Sequence, residues 1–237
     1  MVTGPGYDGL HALPAGGCEL EVSILFADVR GSTALGERLT PTAFSEVMRR
    51  FYGIATDVLG RFGGTVDRML GDGVVAVFLP GLAGADHARR AIDAAHALVA
   101  ATAASGLPTG VAVHTGVAWL GMITRPHGAS DFTALGDTVN VTAHLCAAAE
   151  AGEVVVSEPA SRAAGRIPSG APARHLRLKR RRMPVAAHVC ALRGRAAGHS
   201  CFCDAAAGAS NSFRYSPYPS ASSLSTGMKR SAAELMQ

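Results

Sequence analysis

Several things are scarce in this chain. Among its 237 residues there are only two lysines, Lys179 and Lys229, and one tryptophan, and aromatic residues make up 5%. So few aromatics leave no platform on which a sheet could stack bases, which argues against an RNA binder despite a formal net charge of +4. No stretch reaches the roughly 18 to 20 apolar residues that a membrane helix needs. The nearest approach, Ala91 to Ala104, is short and carries Asp93 and His96. Met1 to Gly17 lacks a basic segment followed by an apolar run, so no secretory signal is expected. The cysteines are odd in number and scattered; Cys18, Cys146 and Cys190 are read as reduced thiols, not as a disulfide framework. His199 to Cys203 holds metal-capable side chains without the CxxC spacing or the fourth ligand of a zinc site. A cytoplasmic protein with no membrane or nucleic-acid partner is expected.

Hydrophobic residues supply 48% of the chain, enough for a sizeable core. Residues 1–18 read as a loose Gly/Pro-rich leader, 19–195 as one folded domain, and 196–237 as a disordered Ser/Ala/Gly-rich tail. Within the domain, Glu19 to Ala27 is an apolar, β-prone run that reads as a buried strand. Thr40-Pro41 opens a long helix whose apolar residues, Phe44 to Phe62, recur at helical spacing. Thr65 to Leu70 and Val74 to Phe78 flank a Gly-Asp-Gly turn, the pattern of a hairpin. A second amphipathic helix covers Asp86 to Ala103. Gly110 to His114 and Val117 to Ile123 are two strand candidates, Asp137 to Glu150 is helical, and Glu153 to Ser157 and Ala186 to Leu192 are late strands. Strands and helices alternate around an antiparallel hairpin, which predicts an α+β fold with a ferredoxin-like, split βαβ layout and a mixed sheet flanked by helices.

Two carboxylates stand where acids need a reason. Asp28 ends the first strand, and Asp72 sits in the hairpin turn. If the strand lies beside the hairpin, both point to one edge of the sheet, where a hard cation would relieve their repulsion. Arg30, Gly31, Ser32 and Thr33 follow Asp28 and open a helix, so their backbone N–H groups suit a phosphate. Taken singly, Asp72 could merely serve the turn and Asp28 merely cap a helix. Further on, Asp131 precedes a short extended stretch, and Asn140 and His144 lie four apart on one helix face. That cluster also reads as a loop and a helix capped by Asp137. Lys179 to Arg182 reads as a solvated basic turn.

Together these segments resemble the catalytic domain of class III adenylate and guanylate cyclases. Three markers carry the resemblance: Phe26-x-Asp28, the Gly71-Asp72-Gly73 hairpin, and Asp131-Phe132-Thr133 running through Gly136-Asp137 to Val139-Asn140. The likeness covers about Glu19 to Leu192. It implies that Asp28, Asp72 and the carbonyl of Val29 bind two Mg²⁺ or Mn²⁺ ions, and that Arg30 to Thr33 face the triphosphate of ATP. It implies that Arg68 and Asp131 recognise the base, that Asn140 orients the ribose, and that His144 occupies the transition-state position. It also implies a head-to-tail homodimer, or a heterodimer with another cyclase chain, with each site shared. Two residues depart from the family pattern: Arg68 stands for its lysine and His144 for its arginine. A neutral imidazole offers one donor and no charge, and losing one such donor costs on the order of 10²–10³ in rate. Two readings follow: an adenylate cyclase weakened by His144, or a catalytically silent module that binds nucleotide or partners another cyclase chain.

Overall fold

The computed structural model describes residues 14, 16–124, 130–166, 173–177 and 184–191, all within the unit Met1–Phe202. The leader up to residue 13, the basic turn at 179–182 and the tail lie outside the described residues.

The apolar run near the start forms β1 (Cys18–Val29), paired on both edges. Its neighbours are β3 (Gly73–Phe78) and β4 (Thr109–Thr124), both antiparallel to it. Glu19 to Glu21 at its start are exposed, but beyond them β1 is covered on both faces, and Val22 to Leu25 are buried without a break. β2 (Thr65–Leu70) joins β3 through the expected hairpin. The order β2-β3-β1-β4 is the split βαβ arrangement, and the sheet continues through β6 (Glu153–Ser157), β8 (Val185–Ala191) and β7 (Ala173–Leu176). β6 runs parallel to β4, so the sheet is mixed, as the alternation of elements predicts.

The two strand candidates at 110–123 are one strand. Thr115 and Gly116 pair with Ser23 and Val22, so the ladder runs through the expected break. The second half of β4 also pairs with β5 (Ser130–Leu135), on the edge whose first half serves β6. β5 is the short extended stretch expected before Gly136. The helix expected to open after Asp28 is α1 (Ser32–Arg38). Two short helices, α3 (Pro80–Ala83) and α6 (Glu158–Ala163), and strand β7 carry too little periodicity to be read from sequence.

Two long helices, α2 (Pro41–Arg61) and α4 (His87–Ala104), cover one face of the sheet. Pro41 fills the first position of α2, and the Thr40 hydroxyl accepts from the Ala43 N–H at 3.3 Å. Phe51, Leu59, Ile92 and Leu98 from these helices pack on Leu25, Ala76, Val113 and Val156 of the sheet. On the other face lie α5 (Asp137–Ala147) and the apolar side of β5, whose Phe132 and Ala134 meet Val22, Ile24 and Val75. Cys18, Cys146 and Cys190 are free thiols. Among the described residues no helix is long and apolar enough to cross a membrane.

Phe51 is the largest fully buried side chain under α2. Phe51→Ala should cost about 3–5 kcal/mol, read as a lower urea midpoint at unchanged slope.

Candidate functional site

The register of β1 on β3 places Asp28 directly opposite Gly73, one residue from Asp72. The turn is two residues long and starts at Gly71, whose φ of 63° lies in the left-handed region. Gly73 serves close approach: a Cβ there would sit 3.0 Å from the Ala27 carbonyl and 3.4 Å from Asp28 Oδ1. The turn is tied down twice. The Val29 N–H donates to the Asp72 carbonyl at 3.0 Å, and the Tyr52 hydroxyl of α2 donates to the Gly71 carbonyl at 2.5 Å.

The two carboxylates therefore meet at one edge of the sheet. Burial, and after it the Asp72 charge, holds the Asp28 carboxyl above the usual carboxylate range, against the opposing pull of Arg30. Burial and Asp72 also push the Tyr52 phenol up. Ser32, the first residue of α1, donates its hydroxyl to Asp72 Oδ2. Gly31 precedes it at φ 76°, and Thr33 is exposed. Two oxygen donors that repel each other suit a hard divalent cation, which takes its remaining ligands from water and phosphate. Among the described residues, no third His, Cys, Asp or Glu completes a preformed metal cluster around them.

Arg30 is the residue whose placement departs most from the phosphate-facing expectation. Its side chain turns inward. Nη1 donates to Asp28 Oδ2 at 2.9 Å, and Nη2 donates to the Cys146 carbonyl at 2.5 Å. The attraction of the Asp28 carboxylate and a carbonyl at the C-terminal end of α5 hold the guanidinium there. Burial pushes the Cys146 thiol beside it up to about 12, so that sulfur stays protonated and unreactive.

The second cluster is built by β2, β5 and α5. A β-bulge between Val66 and Arg68 adds a residue to β2 and re-aims its side chains. Asp67 and Arg68, which regular alternation would put on opposite faces, form an ion pair, with Arg68 Nε donating to Asp67 Oδ2 at 2.9 Å. The Asp67 side chain is only 1% exposed, and burial raises its pKa even though Arg68 pulls the other way. Arg68 Nη2 also donates to the Thr133 hydroxyl at 2.5 Å and to the Ala134 carbonyl at 3.1 Å. The structure thus brings Arg68 together with Thr133, not with Asp131. Asp131 is exposed opposite Ile123, two residues further along β5, about 7 Å away along the strand. Asp67 and Thr133 are absent from the candidates drawn from sequence. The one available signal was the pair of consecutive polar residues, Asp67-Arg68, that breaks the alternation of β2.

Asn140 and His144 share one face of α5, as their spacing requires, with Asn140 exposed and His144 half-buried. The opposite face packs Val141, Leu145 and Cys146 on Ala112 and Val155. Asn140 lies six residues, roughly 9 Å, up the helix from the Cys146 carbonyl that meets Arg30. Apolar side chains stand exposed around this region: Met69 and Leu70 on β2, and Val117, Met122, Ile123 and Leu135 on the β4–β5 ribbon.

The sequence matches the family model for the adenylate and guanylate cyclase catalytic domain over residues 18–173. It is 31% identical over 138 residues to adenylate cyclase 1 of Rhizobium meliloti, covering 53% of this chain and 20% of the relative. It is 27% identical over 133 residues to an adenylate cyclase of Anabaena cylindrica, covering 52% of this chain and 26% of the relative. The chain thus spans about a fifth to a quarter of the length of these curated relatives. Among solved structures, the guanylyl cyclase Cya2 aligns with a TM-score of 0.65 at 26% identity, over 73% of this chain and 92% of its own. The adenylyl cyclase CyaB from P. aeruginosa aligns with a TM-score of 0.65 at 25% identity, over 77% of this chain and 99% of its own.

The crowding of Asp28 by Asp72 has a measurable sign. Asp28 is harder to ionise in the fold than in the open chain, so its ionisation opposes folding and the penalty is present above its raised pKa. In metal-free protein Asp72→Asn should therefore raise the melting temperature near neutral pH. The gain should vanish as pH falls and Asp28 takes up its proton. A melting temperature that drops at neutral pH would show that the carboxylates do not repel.

Proposed function

The chain belongs to the adenylate and guanylate cyclase catalytic domain family, and from that premise we propose that it is an adenylate cyclase. It would convert ATP to 3′,5′-cyclic AMP and pyrophosphate in intracellular signalling. The observation that carries the proposal is the meeting of Asp28 and Asp72 at the edge of the sheet, held there by the β1–β3 register.

In this reading Asp28, Asp72 and the Val29 carbonyl hold two divalent cations, Mg²⁺ or Mn²⁺. Bound cations of this kind neutralise triphosphate charge and make a ribose hydroxyl easier to deprotonate. The chain's own residues do the rest. Gly31, Ser32 and Thr33 present backbone N–H groups to the phosphates. The Asn140 amide orients the ribose so that its 3′-oxygen bonds to the α-phosphorus as the bond to pyrophosphate breaks. His144 donates one N–H to the oxygens of the α-phosphoryl group, where charge builds.

Recognition of the base falls to β2 and β5. An adenine amino group needs an acceptor, and Thr133 Oγ1 and the Asp131 carboxylate are two side-chain acceptors on β5. The adenylate cyclases among the relatives support ATP over GTP. Thr133 is seated against Arg68, so Thr133→Val should cost more ATP-over-GTP discrimination than Asp131→Ala. The reverse order would move the base contact outward to Asp131.

The site is shared between two chains packed head to tail. The exposed apolar residues of β2 and the β4–β5 ribbon form the face between them, a role that suits a patch otherwise costly to leave in water. Both a homodimer and a heterodimer with another cyclase chain fit this face.

One residue favours a second reading. With His144 at the transition-state position, the chain would be a silent module that binds nucleotide or completes a partner's site. Formation of cyclic AMP and cyclic GMP, identified by mass spectrometry with Mn²⁺ and with Mg²⁺, decides between the two. Slow cyclic AMP formation is expected, abolished by Asp28→Ala or Asp72→Ala and raised tens-fold or more in kcat by His144→Arg. ATP binding with no product from either the wild type or His144→Arg would establish the silent module.

A further inference from the structure

Arg30 stands between the end of β1 and the last turn of α5. Its backbone N–H donates to the Pro108 carbonyl at 2.8 Å, which fixes where the side chain starts. The guanidinium then fills the space over Gly110. A Cβ on Gly110 would lie 2.4 Å from Arg30 Nε and 2.5 Å from Nη2, so only glycine leaves room for it. One end holds Asp28 Oδ2, while Asp28 Oδ1 lies on the Gly73 side. The other end holds the Cys146 carbonyl, with Cys146 Sγ at 3.6 Å. Nε is buried and has no hydrogen-bond partner among the described residues. A phosphate-binding arginine aims its fork at the solvent side; here both terminal nitrogens are committed to protein acceptors.

We propose that Arg30 is a positioning residue: one rigid guanidinium fixes the Asp28 carboxylate and holds the last turn of α5, so that cation binding at Asp28 is felt by the helix carrying Asn140 and His144. The inference rests on the cation-binding role given to Asp28 above. Arginine suits the task because its planar fork offers two directed donors to two acceptors at once, whereas a lysine ammonium presents a point charge. Orienting groups behind metal ligands govern affinity nearly as much as the ligands do, and their removal typically costs about 10- to 100-fold. If each site takes its cations from one chain and α5 from the other, Arg30 links one site of the dimer to its neighbour.

The proposal makes a prediction of opposite sign to simple electrostatics. A guanidinium beside Asp28 repels a cation, so deleting a bystander charge would tighten Mn²⁺ binding. Mn²⁺ binding without nucleotide is followed by the loss of the free-ion signal in electron paramagnetic resonance. Hydrogen exchange of residues 137–147 is measured with and without saturating Mn²⁺. Arg30→Met should weaken Mn²⁺ binding about 10- to 100-fold and abolish the Mn²⁺-dependent protection of α5. Arg30→Lys keeps the charge but not the fork, and should lose the α5 response as well. It remains informative should Arg30→Met fail to fold. Unchanged or tighter Mn²⁺ binding in Arg30→Met, or wild-type affinity together with wild-type α5 protection in Arg30→Lys, overturns the proposal. Asp28→Ala separates the two levels: wild-type Mn²⁺ affinity in that variant removes the cation role of Asp28 itself, whatever Arg30 does.

Discussion

The site depends on the antiparallel register between β1 and β3. That register alone decides that a residue at the end of a buried strand lies beside a two-residue turn from another part of the sheet. Everything around it serves the same closeness. Gly73 removes the side chain that would keep the strands' ends apart, Tyr52 braces the turn from α2, and Ser32 bonds the second carboxylate from α1. A fold normally avoids packing two half-buried acids together, and here burial and the neighbouring Asp72 charge make Asp28 harder to ionise. Here the surrounding sheet, buried on both faces, supplies the stability that holds them together.

Much of this was legible in the residues themselves. The unbroken apolar run of β1, the Thr40-Pro41 start of α2 and the Gly-Asp-Gly hairpin each carry a local physical cause, and the structure shows all three. Asp28 and Asp72 followed from the same logic, because a strand end and a tight turn have few ways to meet. What stayed hidden was anything decided at long range. The side-chain direction of Arg30 depends on a carbonyl 116 residues away. The bulge beside Asp67 depends on how β2 fits β3, and Thr133 gains its interest only from Arg68 across the sheet. The continuity of β4 through Thr115 and Gly116 is likewise imposed by β1, not by local preference.

Arg68 and His144, the two departures from the family pattern expected from sequence, sit in different mechanical settings. Arg68 is locked by an ion pair and two further hydrogen bonds, so its extra bulk over lysine is accommodated by a dedicated shell. His144 projects from the same helix face as exposed Asn140, away from the packed side of α5. One replacement has been built into the fold, whereas the other leaves the packing of its helix untouched.

The double use of one edge of β4 has a consequence for how sequence can vary. Its first half fits β6 and its second half fits β5, and no turn or helix separates the two. Side chains alternate strictly along an uninterrupted strand, so a single inserted or deleted residue near Thr115 would invert the facing of everything beyond it. Leu120 would leave the apolar layer it shares with Phe132 and Ala134, and the strand opposite would lose its match. Length change in this strand is therefore tolerable only in steps of two, or with a compensating bulge. Drift in this part of the chain should proceed by substitution, while insertions collect in the connections outside it.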